Sequence, residues 1–419
     1  MNRLSLLSLT LLVACGPPVP KPCDFTVVGN ICTIAGAGTN GYSGDDGPAL
    51  KAELSLPQDT LTAADGTTYV LDWNNHRIRK VGSDGIMRAV AGRGELGGTL
   101  DDPANSDFNH PTAMLFDPAG NMLVAAWHNS KIRKIDLSTN EIVDTCGDGR
   151  RAYFGDGSKA LTATLDLPAS LAFDPAGNLV IMDQANMVLR QIDPAGNISL
   201  RAGKCVIDAV PPAGPGACAS GVAPVACPMS SGKTTCGVPS ETCSKPCTPG
   251  YSGDEGPASV MRIAQPFGQS ADPGGRMVFD AAGNLYFADT SNALIRKIDL
   301  QGTVHRFAGV APIDGVAQRG FTGDEGPATS AQLNNPVDLA LSDDGTMYFT
   351  DTYNHCVRSI DAAGIIHTVV GTCGTAGTTG DDGPASAALL KRPYGLEWAK
   401  GSLKISDTGN NRVRVIKLK

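Results

Sequence analysis

Acidic residues beside glycines are the first side chains in this sequence that could bind an ion. The motif GDxGPA, with a second acidic residue after the aspartate, recurs at Asp45, Asp254, Asp324 and Asp381. Calcium loops also place carboxylates beside glycines. These segments lack the further spaced carboxylates and the distant glutamate of a complete loop, and their recurrence favours a structural turn. We therefore expect no cofactor, with Ca²⁺ at the GDxGPA loops as the alternative.

Twelve cysteines supply a second kind of chemistry. Six lie in one stretch, residues 204–250, where fifteen pairings are possible: Cys205, Cys218, Cys227, Cys236, Cys243 and Cys247. Their spacings of 13, 9, 9, 7 and 4 residues favour disulfides over a zinc ribbon, which needs close cysteine pairs. Elsewhere Cys23 is a candidate to pair with Cys32, and Cys356 with Cys373, which leaves one thiol unpaired.

A segment that recurs six times in register must position these residues. Its copies begin at Tyr69 (YVLDWNNHRIRKV), Leu123, Leu179, Leu285, Met347 and Leu403. Every copy has an asparagine followed four residues later by an arginine, and five copies have an aspartate three residues before the asparagine, with Ala126 in its place in the second. The asparagines are spaced by 54, 57, 106, 62 and 56 residues. The long interval contains the Cys-rich stretch 204–250, which is therefore an insertion.

Each repeat predicts four short antiparallel strands, a to d. A proline-led run such as LPASLAFD from Leu167 alternates as a half-buried strand a should, and a DPAGN turn leads to strand b. The Asp-x-x-Asn step breaks the chain before strand c, and strand d follows a second tight turn. Six such units close into a ring of six four-stranded blades. The last repeat lacks strand d, so we expect Asn30 to Gly36 (NICTIAG) to complete the last blade and leave no free edge.

The pattern GYSGDDGPA…LPxxh…DTxNHRIRKh…hhTVAG, over about residues 26–419 apart from the insertion, resembles that of NHL-repeat proteins, including bacterial propellers and the NHL domain of teneurins. The resemblance implies an all-β six-bladed propeller, but the family includes scaffolds, ligand sensors and a few enzymes. Its peptidyl-hydroxyglycine lyases hold zinc at the channel through several histidines. Here His110 and His128 are the histidines placed to face the channel mouth, which is a weak ligand set. No G-x-S-x-G elbow supports nucleophilic hydrolysis.

The irregular segments fall at one end of the predicted ring. We call this end, formed by the b–c turns and the connections from strand d to the next strand a, the upper face; the a–b and c–d turns form the lower face. Binding is expected on the upper face, where loops carry function over a rigid scaffold. Its rim would comprise Trp73, His110, Trp127, Gln265, Asn335, Tyr353 and Arg392. Aromatic platforms suit sugars or protein anchors, although Trp73 and Trp127 can instead pack between blades.

The N-terminal residues 1–14 have the form of a signal peptide, with one early cation and an apolar run too short to span a bilayer. The run ends in LVAC, which resembles a bacterial lipobox that would acylate Cys15, and residues 15–25 would form a tether. An ordinary signal peptide with a chance cysteine is the alternative. Because Gly16 rather than aspartate follows Cys15, we expect an anchor at the outer membrane or cell surface rather than the inner membrane.

Composition narrows the class of partner. With 34 basic and 42 acidic residues the net charge is −8, and no basic run occurs, which argues against nucleic acid. The favoured hypothesis is a non-enzymatic binding or scaffold module for a protein or glycan partner in the cell envelope. The alternatives are a metal-dependent lyase or lactonase with its site in the central channel, and a spacer without a discrete ligand.

Overall fold

The computed structural model describes residues 23–95, 108–139, 141–206, 247–267 and 271–419, and the backbone alone of 224–226 and 234–236. The predicted signal peptide and the lipidation residue Cys15 lie outside this part, as do Cys218, Cys227 and Cys243 and the side chain of Cys236. The described chain consists of strands, single-turn 3-10 helices and connecting turns. No helix within it is both long and apolar enough to cross a bilayer.

Six antiparallel sheets form the blades, and within the first five blades strands adjacent in sequence are hydrogen-bonded neighbours. Blades 1 and 2 comprise β2 (Pro57–Thr62), β3 (Thr68–Asp72), β4 (Arg77–Val81) and β5 (Met87–Ala91), then β6 (Pro111–Phe116), β7 (Met122–Ala126), β8 (Lys131–Ile135) and β9 (Ile142–Cys146). Blade 3 comprises β10 (Pro168–Phe173), β11 (Leu179–Asp183), β12 (Val188–Ile192) and β13 (Ile198–Ala202). The insertion contributes a separate hairpin of β14 (Pro224–Ala226) and β15 (Thr234–Cys236).

The later blades follow the same plan. Blade 4 comprises β16 (Met277–Phe279), β17 (Leu285–Asp289), β18 (Leu294–Ile298) and β19 (Val304–Ala308), and blade 5 comprises β20 (Pro336–Leu341), β21 (Met347–Asp351), β22 (Cys356–Ile360) and β23 (Ile366–Val370). Blade 6 has β25 (Leu396–Ala399), β26 (Ser402–Asp407) and β27 (Arg412–Lys417). The predicted all-β, six-bladed propeller is confirmed.

The N-terminal strand closes the ring. Strand β1 (Asn30–Ala35) pairs antiparallel with β27, with Ile31 opposite Ile416 and Thr33 opposite Arg414. A short strand β24 (Gly383–Pro384) pairs with the other edge of β1. The prediction that this segment supplies the missing strand d of the last blade is therefore confirmed.

Strand a differs from its prediction, because it is buried on both sides rather than on one. In β10 five of six residues are buried, and all five residues of the neighbouring β11 are buried. Adjacent blades cover both faces of each inner strand, as in sheets enclosed on two sides. The apolar residues thus pack in clusters between blades, for example Leu171 and Leu179 with Leu123 and Ala125.

Single 3-10 turns occupy two recurring places. One set forms the b–c turns: Trp73–Asn75, Trp127–Asn129, Gln184–Asn186, Thr290–Asn292, Thr352–Asn354 and Thr408–Asn410. Each ends on a left-handed residue, such as His76 at φ 53°. The other set precedes strand a: Ala49–Lys51, Ala160–Thr162, Ala258–Val260, Ala328–Ser330 and Ala385–Ala387.

The recurring Asp, Asn and Arg form a buried polar network in each regular blade. In blade 1, Asp72 accepts hydrogen bonds from the Ser55 amide at 2.7 Å and the Asn75 side chain at 2.9 Å. The Arg79 guanidinium lies 3.3 Å from Asp72 and donates to the Glu53 carbonyl at 2.7 Å. These arginine side chains are fully buried, and pairing satisfies groups that would otherwise be costly to desolvate.

The GDxGPA segments supply the second carboxylate of this network. Asp45 lies 2.7 Å from Arg79, and the same contact joins Asp254 to Arg296 at 2.6 Å. The following residue, Asp46, is left-handed at φ 59°, and its amide donates to the Met87 carbonyl on strand d. The segments are therefore structural links between a blade's outer strand and its arginine, and a guanidinium already holds one oxygen of each aspartate.

Blade 2, which has Ala126 in place of the aspartate, uses a substitute. The Asn129 side-chain oxygen accepts the hydrogen bond from the Asn109 amide at 2.8 Å, the bond that the aspartate accepts elsewhere. Arg133 instead contacts Asp144 on strand d at 3.3 Å. The Asn129 amide oxygen thus keeps the hydrogen bond to the segment before strand a, while the ion pair of Arg133 is made with the outer strand of the blade.

Three disulfides are present among the described residues. The predicted pairs Cys23–Cys32 and Cys356–Cys373 form, with Cα atoms 5.7 Å and 5.1 Å apart. Cys205 and Cys247 bond across the base of the insertion, with Cα atoms 5.0 Å apart. The expected odd thiol is Cys146, which is buried in blade 2.

Candidate functional site

The central channel is crossed by one arginine from blade 4. Arg276, just before β16, places Nη1 3.0 Å from Asp59 of blade 1 and 3.9 Å from Asp338 of blade 5. Its Nη2 also donates to the Thr112 carbonyl of blade 2. Since strand a lines the channel in every blade, this side chain joins four blades at the axis and fills the space between them.

The two channel aspartates also connect neighbouring blades. Asp59 accepts a hydrogen bond from the Met114 amide of blade 2, and Asp338 accepts one from the Leu396 amide of blade 6, both at 2.8 Å. Burial raises the pKa of Asp338 to about 7, and the charge of Arg276 opposes that shift. These carboxylates are therefore engaged by the chain itself on the inner wall of the ring.

The segment that carries Arg276 covers the upper mouth of the channel. Gln184 of blade 3 donates to the Asp272 carbonyl at 3.0 Å and accepts from the Gly274 amide at 3.1 Å. The Gly275 amide donates to the Thr290 hydroxyl at 3.0 Å. Residues 271–276 are thus fastened to blades 3 and 4 and close the channel toward the upper face.

A polar group stands on top of this cover. The Arg392 guanidinium lies 2.9 Å from the Asp272 carboxylate and donates to the Tyr394 hydroxyl at 2.7 Å. The Tyr353 hydroxyl donates to Asp272, and its ring centroid is 4.9 Å from the guanidinium carbon of Arg392. The Arg392 and Asp272 side chains remain 41% and 36% exposed, so a partner could reach both charges.

Aromatic and imidazole rings form the opposite part of the mouth. The His110 ring lies 4.4 Å from the Trp73 ring and 4.9 Å from the His128 ring, and Trp127 stacks on His128 at 4.3 Å. The His110 amide also donates to Nδ1 of His76. Burial lowers the pKa of His110 to about 3 and that of His128 to about 4. His110 and His128 are therefore uncharged at neutral pH, in contrast to the Asp272–Arg392 group.

The predicted rim residues divide between these groups and the interior. Tyr353 and Arg392 meet in the polar group, Trp73 and His110 in the aromatic cluster, and Asn335 accepts a hydrogen bond from Arg319 at 3.1 Å. Trp127 is fully buried between blades, which corrects the expectation of an exposed platform there. The expectation that Gln265 lies on the rim is also wrong.

The Gln265 side chain is 1% exposed and donates to the Ala288 carbonyl at 2.8 Å. Gln265 precedes Pro266, and in the other blades the corresponding proline lies at or near the start of strand a. In blade 4 the strand instead starts at Met277.

The repeat pattern did not predict a role for Asp272 or Arg276, although the unusual length of the segment that contains them was visible in the sequence. From the strand-a proline to the turn aspartate there are six residues in blade 2 (Pro111 to Asp117) but fourteen in blade 4 (Pro266 to Asp280). The extra residues contain Gly274 and Gly275, which suit an irregular segment.

The described residues bring together one set of three potential metal ligands, Cys23, Cys32 and Asp382. Two of these are joined in a disulfide. Two of the other histidines, His305 and His367, form ion pairs on the outer strands, where His305 contacts Glu255 and Asp299, each at 2.9 Å. His355 accepts a hydrogen bond from the Arg392 amide at 3.1 Å.

Comparison with known proteins shows which proteins resemble this chain in sequence. The family model of the Teneurin NHL domain matches residues 316–379. Protein SUPPRESSOR OF QUENCHING 1, chloroplastic, of Arabidopsis thaliana is 26% identical over 336 residues, which cover 78% of this chain and 27% of that protein. Teneurin-m of Drosophila melanogaster is 24% identical over 357 residues, covering 75% of this chain and 12% of that protein. The chain thus spans about a quarter or less of the length of these relatives.

Solved structures show the same fold at low identity. An auxiliary nutrient binding protein from Bacteroides thetaiotaomicron superposes with a TM-score of 0.57 at 13% identity, covering 92% of this chain and 75% of that one. Another from Bacteroides ovatus gives 0.57 at 15% identity, covering 92% and 76%. With six repeats in register, a closed ring of blades and a match to the Teneurin NHL domain over residues 316–379, this chain is a six-bladed β-propeller that resembles NHL-repeat proteins.

Proposed function

We propose that this propeller is a binding module that presents its upper face to a protein or glycan partner in the cell envelope, where an acylated Cys15 would hold it. The observation that carries the proposal is the closed mouth. Because residues 271–276 and Arg276 fill the channel, a partner meets a surface in which the half-exposed Asp272 and Arg392 adjoin tyrosine rings. Arginine and tyrosine are enriched among the residues that dominate binding energies.

The names of structural neighbours support the same class of activity. Two propellers of this fold are called auxiliary nutrient binding proteins. As part of the proposal we infer that this chain also binds a partner, but we do not infer that it binds the same ligands. A lyase or lactonase would need free ligands or catalytic groups in the channel. The channel carboxylates Asp59 and Asp338 contact Arg276 instead, so no observation favours that alternative.

The test is capture of partners from envelope extracts, and binding to a glycan array, by the mature protein. Tyr353→Ala combined with Arg392→Ala should reduce binding at least about tenfold, since such positions cost ~1–2 kcal/mol or more when truncated. Leu300→Ala, on the lower face and 65% exposed, is the matched control and should bind normally. Equal binding by both variants, with unchanged melting temperatures, would refute the upper-face assignment.

A second variant asks whether the insertion takes part. The Thr248 amide donates to the Val206 carbonyl at 2.6 Å, and Cys247 is buried and bonded to Cys205. Residues 207–246 can therefore be replaced by a two-glycine link that keeps this base intact. Loss of binding at an unchanged melting temperature would assign the partner to the insertion, whereas retained binding would assign it to the channel mouth.

A further inference from the structure

Five of the six contacts between neighbouring blades follow one rule on the lower half of the ring. The strand-b residue six positions before the repeat's asparagine packs against a residue at or next to the end of strand a in the next blade. Tyr69 meets Phe116 with ring centroids 5.9 Å apart, and Tyr348 stacks on Trp398 at 5.6 Å. Three further interfaces pair apolar residues within one cluster: Leu123 with Phe173, Val180 with Phe279, and Tyr286 with Leu341.

The sixth interface, between blades 6 and 1, breaks this rule. Lys404 and Thr62 occupy the two positions, and Lys404 donates to the Thr62 hydroxyl. Glu397 lies 3.6 Å from Lys404 and accepts hydrogen bonds from the Thr62 amide and hydroxyl at 2.5 Å and 2.7 Å. Three polar side chains therefore replace an apolar contact at the place where the chain closes the ring.

A groove of about 640 Å³ opens at this interface. Its floor is apolar and includes Ile34, Val81 and Val415, and Phe25 and Leu50 stand at its edge with about half of their surface exposed. The volume falls within the ~300–1,000 Å³ of small-molecule sites. The groove is lined by the a–b turns of blades 6 and 1 and the c–d turn of blade 1, which belong to the lower face, and by residues 48–50 of the connection before β2.

The charges of the groove have one sign. Every ionisable side chain that lines it is a lysine, namely Lys400, Lys404 and Lys417, in a protein whose net charge is −8. Glu397 balances Lys404 from below. The Lys400 ammonium donates to the Ala64 carbonyl at 3.1 Å and lies near Asp65. Neither Lys400 nor Lys417 has an ion-pair partner within the part of the chain that the structure describes, so a bound anion can contact both charges.

We propose that this groove binds a free long-chain aliphatic carboxylate, with the hydrocarbon on the floor around Ile34 and Val415 and the carboxylate beside Lys400 and Lys417. Burial of the apolar hydrocarbon chain supplies the affinity. The lysines select the anionic head group. This site is independent of the upper face, so both can be occupied together.

Isothermal titration of the full chain with decanoate, below its micelle concentration, tests the proposal. One saturable site is expected, with decyltrimethylammonium, which has the same chain length and the opposite charge, binding at least about tenfold more weakly. Lys400→Gln combined with Lys417→Gln should weaken decanoate at least about tenfold, because both residues are on the surface and their loss leaves the fold intact.

A second variant closes the groove by restoring the rule of the other interfaces. Thr62→Phe, Glu397→Leu and Lys404→Tyr together reproduce the apolar residues of blades 1 and 2 and should abolish decanoate binding. Leu123→Tyr, the corresponding single change at the blade 2–3 interface, is the control and should bind as the unaltered chain does.

Several results would overturn the proposal. These are the absence of saturable decanoate binding, equal affinity for the cationic probe, and unchanged binding by the Lys400/Lys417 variant. If the groove-filling variant fails to fold, the lysine variant still decides. Binding to phosphatidylglycerol vesicles without binding of decanoate would replace the proposed ligand with a membrane surface.

Discussion

The buried arginine of strand c connects three parts of each regular blade. In blade 4, Arg296 contacts Asp289 at 3.4 Å and Asp254 at 2.6 Å and donates to the Arg262 and Ser252 carbonyls, both at 2.9 Å. Removing one partner of a buried ion pair leaves an uncompensated charge, which is more costly than never having buried the pair.

We therefore expect Arg296→Met to lower the free energy of unfolding by about 3–5 kcal/mol. Urea denaturation measures this change. Lys297→Met, at the next and more exposed position of the strand, should cost less than ~1 kcal/mol. A normal melting temperature with a selective defect in partner binding would show that Arg296 serves a site and not the scaffold.

Two histidines on the outer strands predict a pH dependence. His305 bridges Asp299 and Glu255, and His367 bridges Asp361 and Glu325 in the same way. Hydrogen bonds to Asp299 and to Glu325, respectively, are the main causes that raise the pKa of each imidazole above its usual value. The folded state thus binds the proton more tightly than the unfolded chain does.

The stabilisation is complete below the unfolded value of about 6.5 and is lost as pH rises through the higher folded pKa. The double variant His305→Gln/His367→Gln should therefore melt below the unaltered chain at pH 5.5, with the difference shrinking above neutrality. Solvent exposure keeps the effect near or below ~1 kcal/mol. Thermal melts across pH 5–9 would contradict this account if the difference grew with pH.

At the scale of a strand, β25 depends on a glycine just before it. A Cβ at Gly395 would lie 2.4 Å from the Gln58 carbonyl oxygen and 3.0 Å from the Asp59 Cα, both in blade 1. Backbone atoms cannot move aside as a flexible side chain can. This close approach lets blade 6 meet blade 1 beside the channel.

Gly395→Ala should accordingly destabilise the protein by about 1–3 kcal/mol through overpacking. Gly47→Ala is the matched control, because its Cβ would meet the nearest atom at 3.4 Å and neither glycine has a positive φ. The control should stay within ~1 kcal/mol of the unaltered chain. Equal melting temperatures for both variants would contradict the close-approach argument.

The regular elements were predictable from the sequence because each repeat confirms the others. Asp289, Asn292 and Arg296 could be assigned to the scaffold because their counterparts recur in register. The missing strand d pointed to Asn30 to Gly36, where the structure has strand β1. Arg276 could not be found in this way, since it exists in one blade only and its role depends on carboxylates from two others. Residues that recur in every repeat identify the scaffold, whereas the channel and the groove are formed by residues that differ from the repeat pattern.

The same reasoning explains the groove at blades 6 and 1. In the segment LKISD, Lys404 resembles an ordinary surface lysine. Its role in the groove becomes clear only when it is compared with the tyrosines at the equivalent positions of other blades. Its partner Thr62 is more than 300 residues away in sequence, as the hydrogen bond across the closure shows. No local pattern predicts such a pairing.

At the scale of the whole molecule, β1 holds the ring together. A chain that starts at Ala37 would expose the edge of β27 and the apolar surface that Ile31 covers in blade 6. Unpaired edges template pairing with other chains. We expect this truncation to lower the melting temperature and to form oligomers, as measured by thermal melting and size-exclusion chromatography.

The truncation also removes a disulfide, which needs its own control. Cys23→Ser/Cys32→Ser keeps β1 and breaks the bond alone. That variant should remain monomeric. Oligomers from the disulfide variant, or a monomeric truncation with unchanged stability, would contradict the role assigned to the strand.

Because β1 belongs to the last blade, the boundaries of the sequence repeats do not coincide with the boundaries of the blades. Read along the DNA, one repeat encodes strand d of one blade and then strands a, b and c of the next, so every repeat crosses a blade boundary. Unequal recombination between repeats would add or delete one such unit and still yield a whole number of blades, with the same first strand fastening the last blade. Closure by the first strand is therefore retained whenever whole repeats are added or deleted.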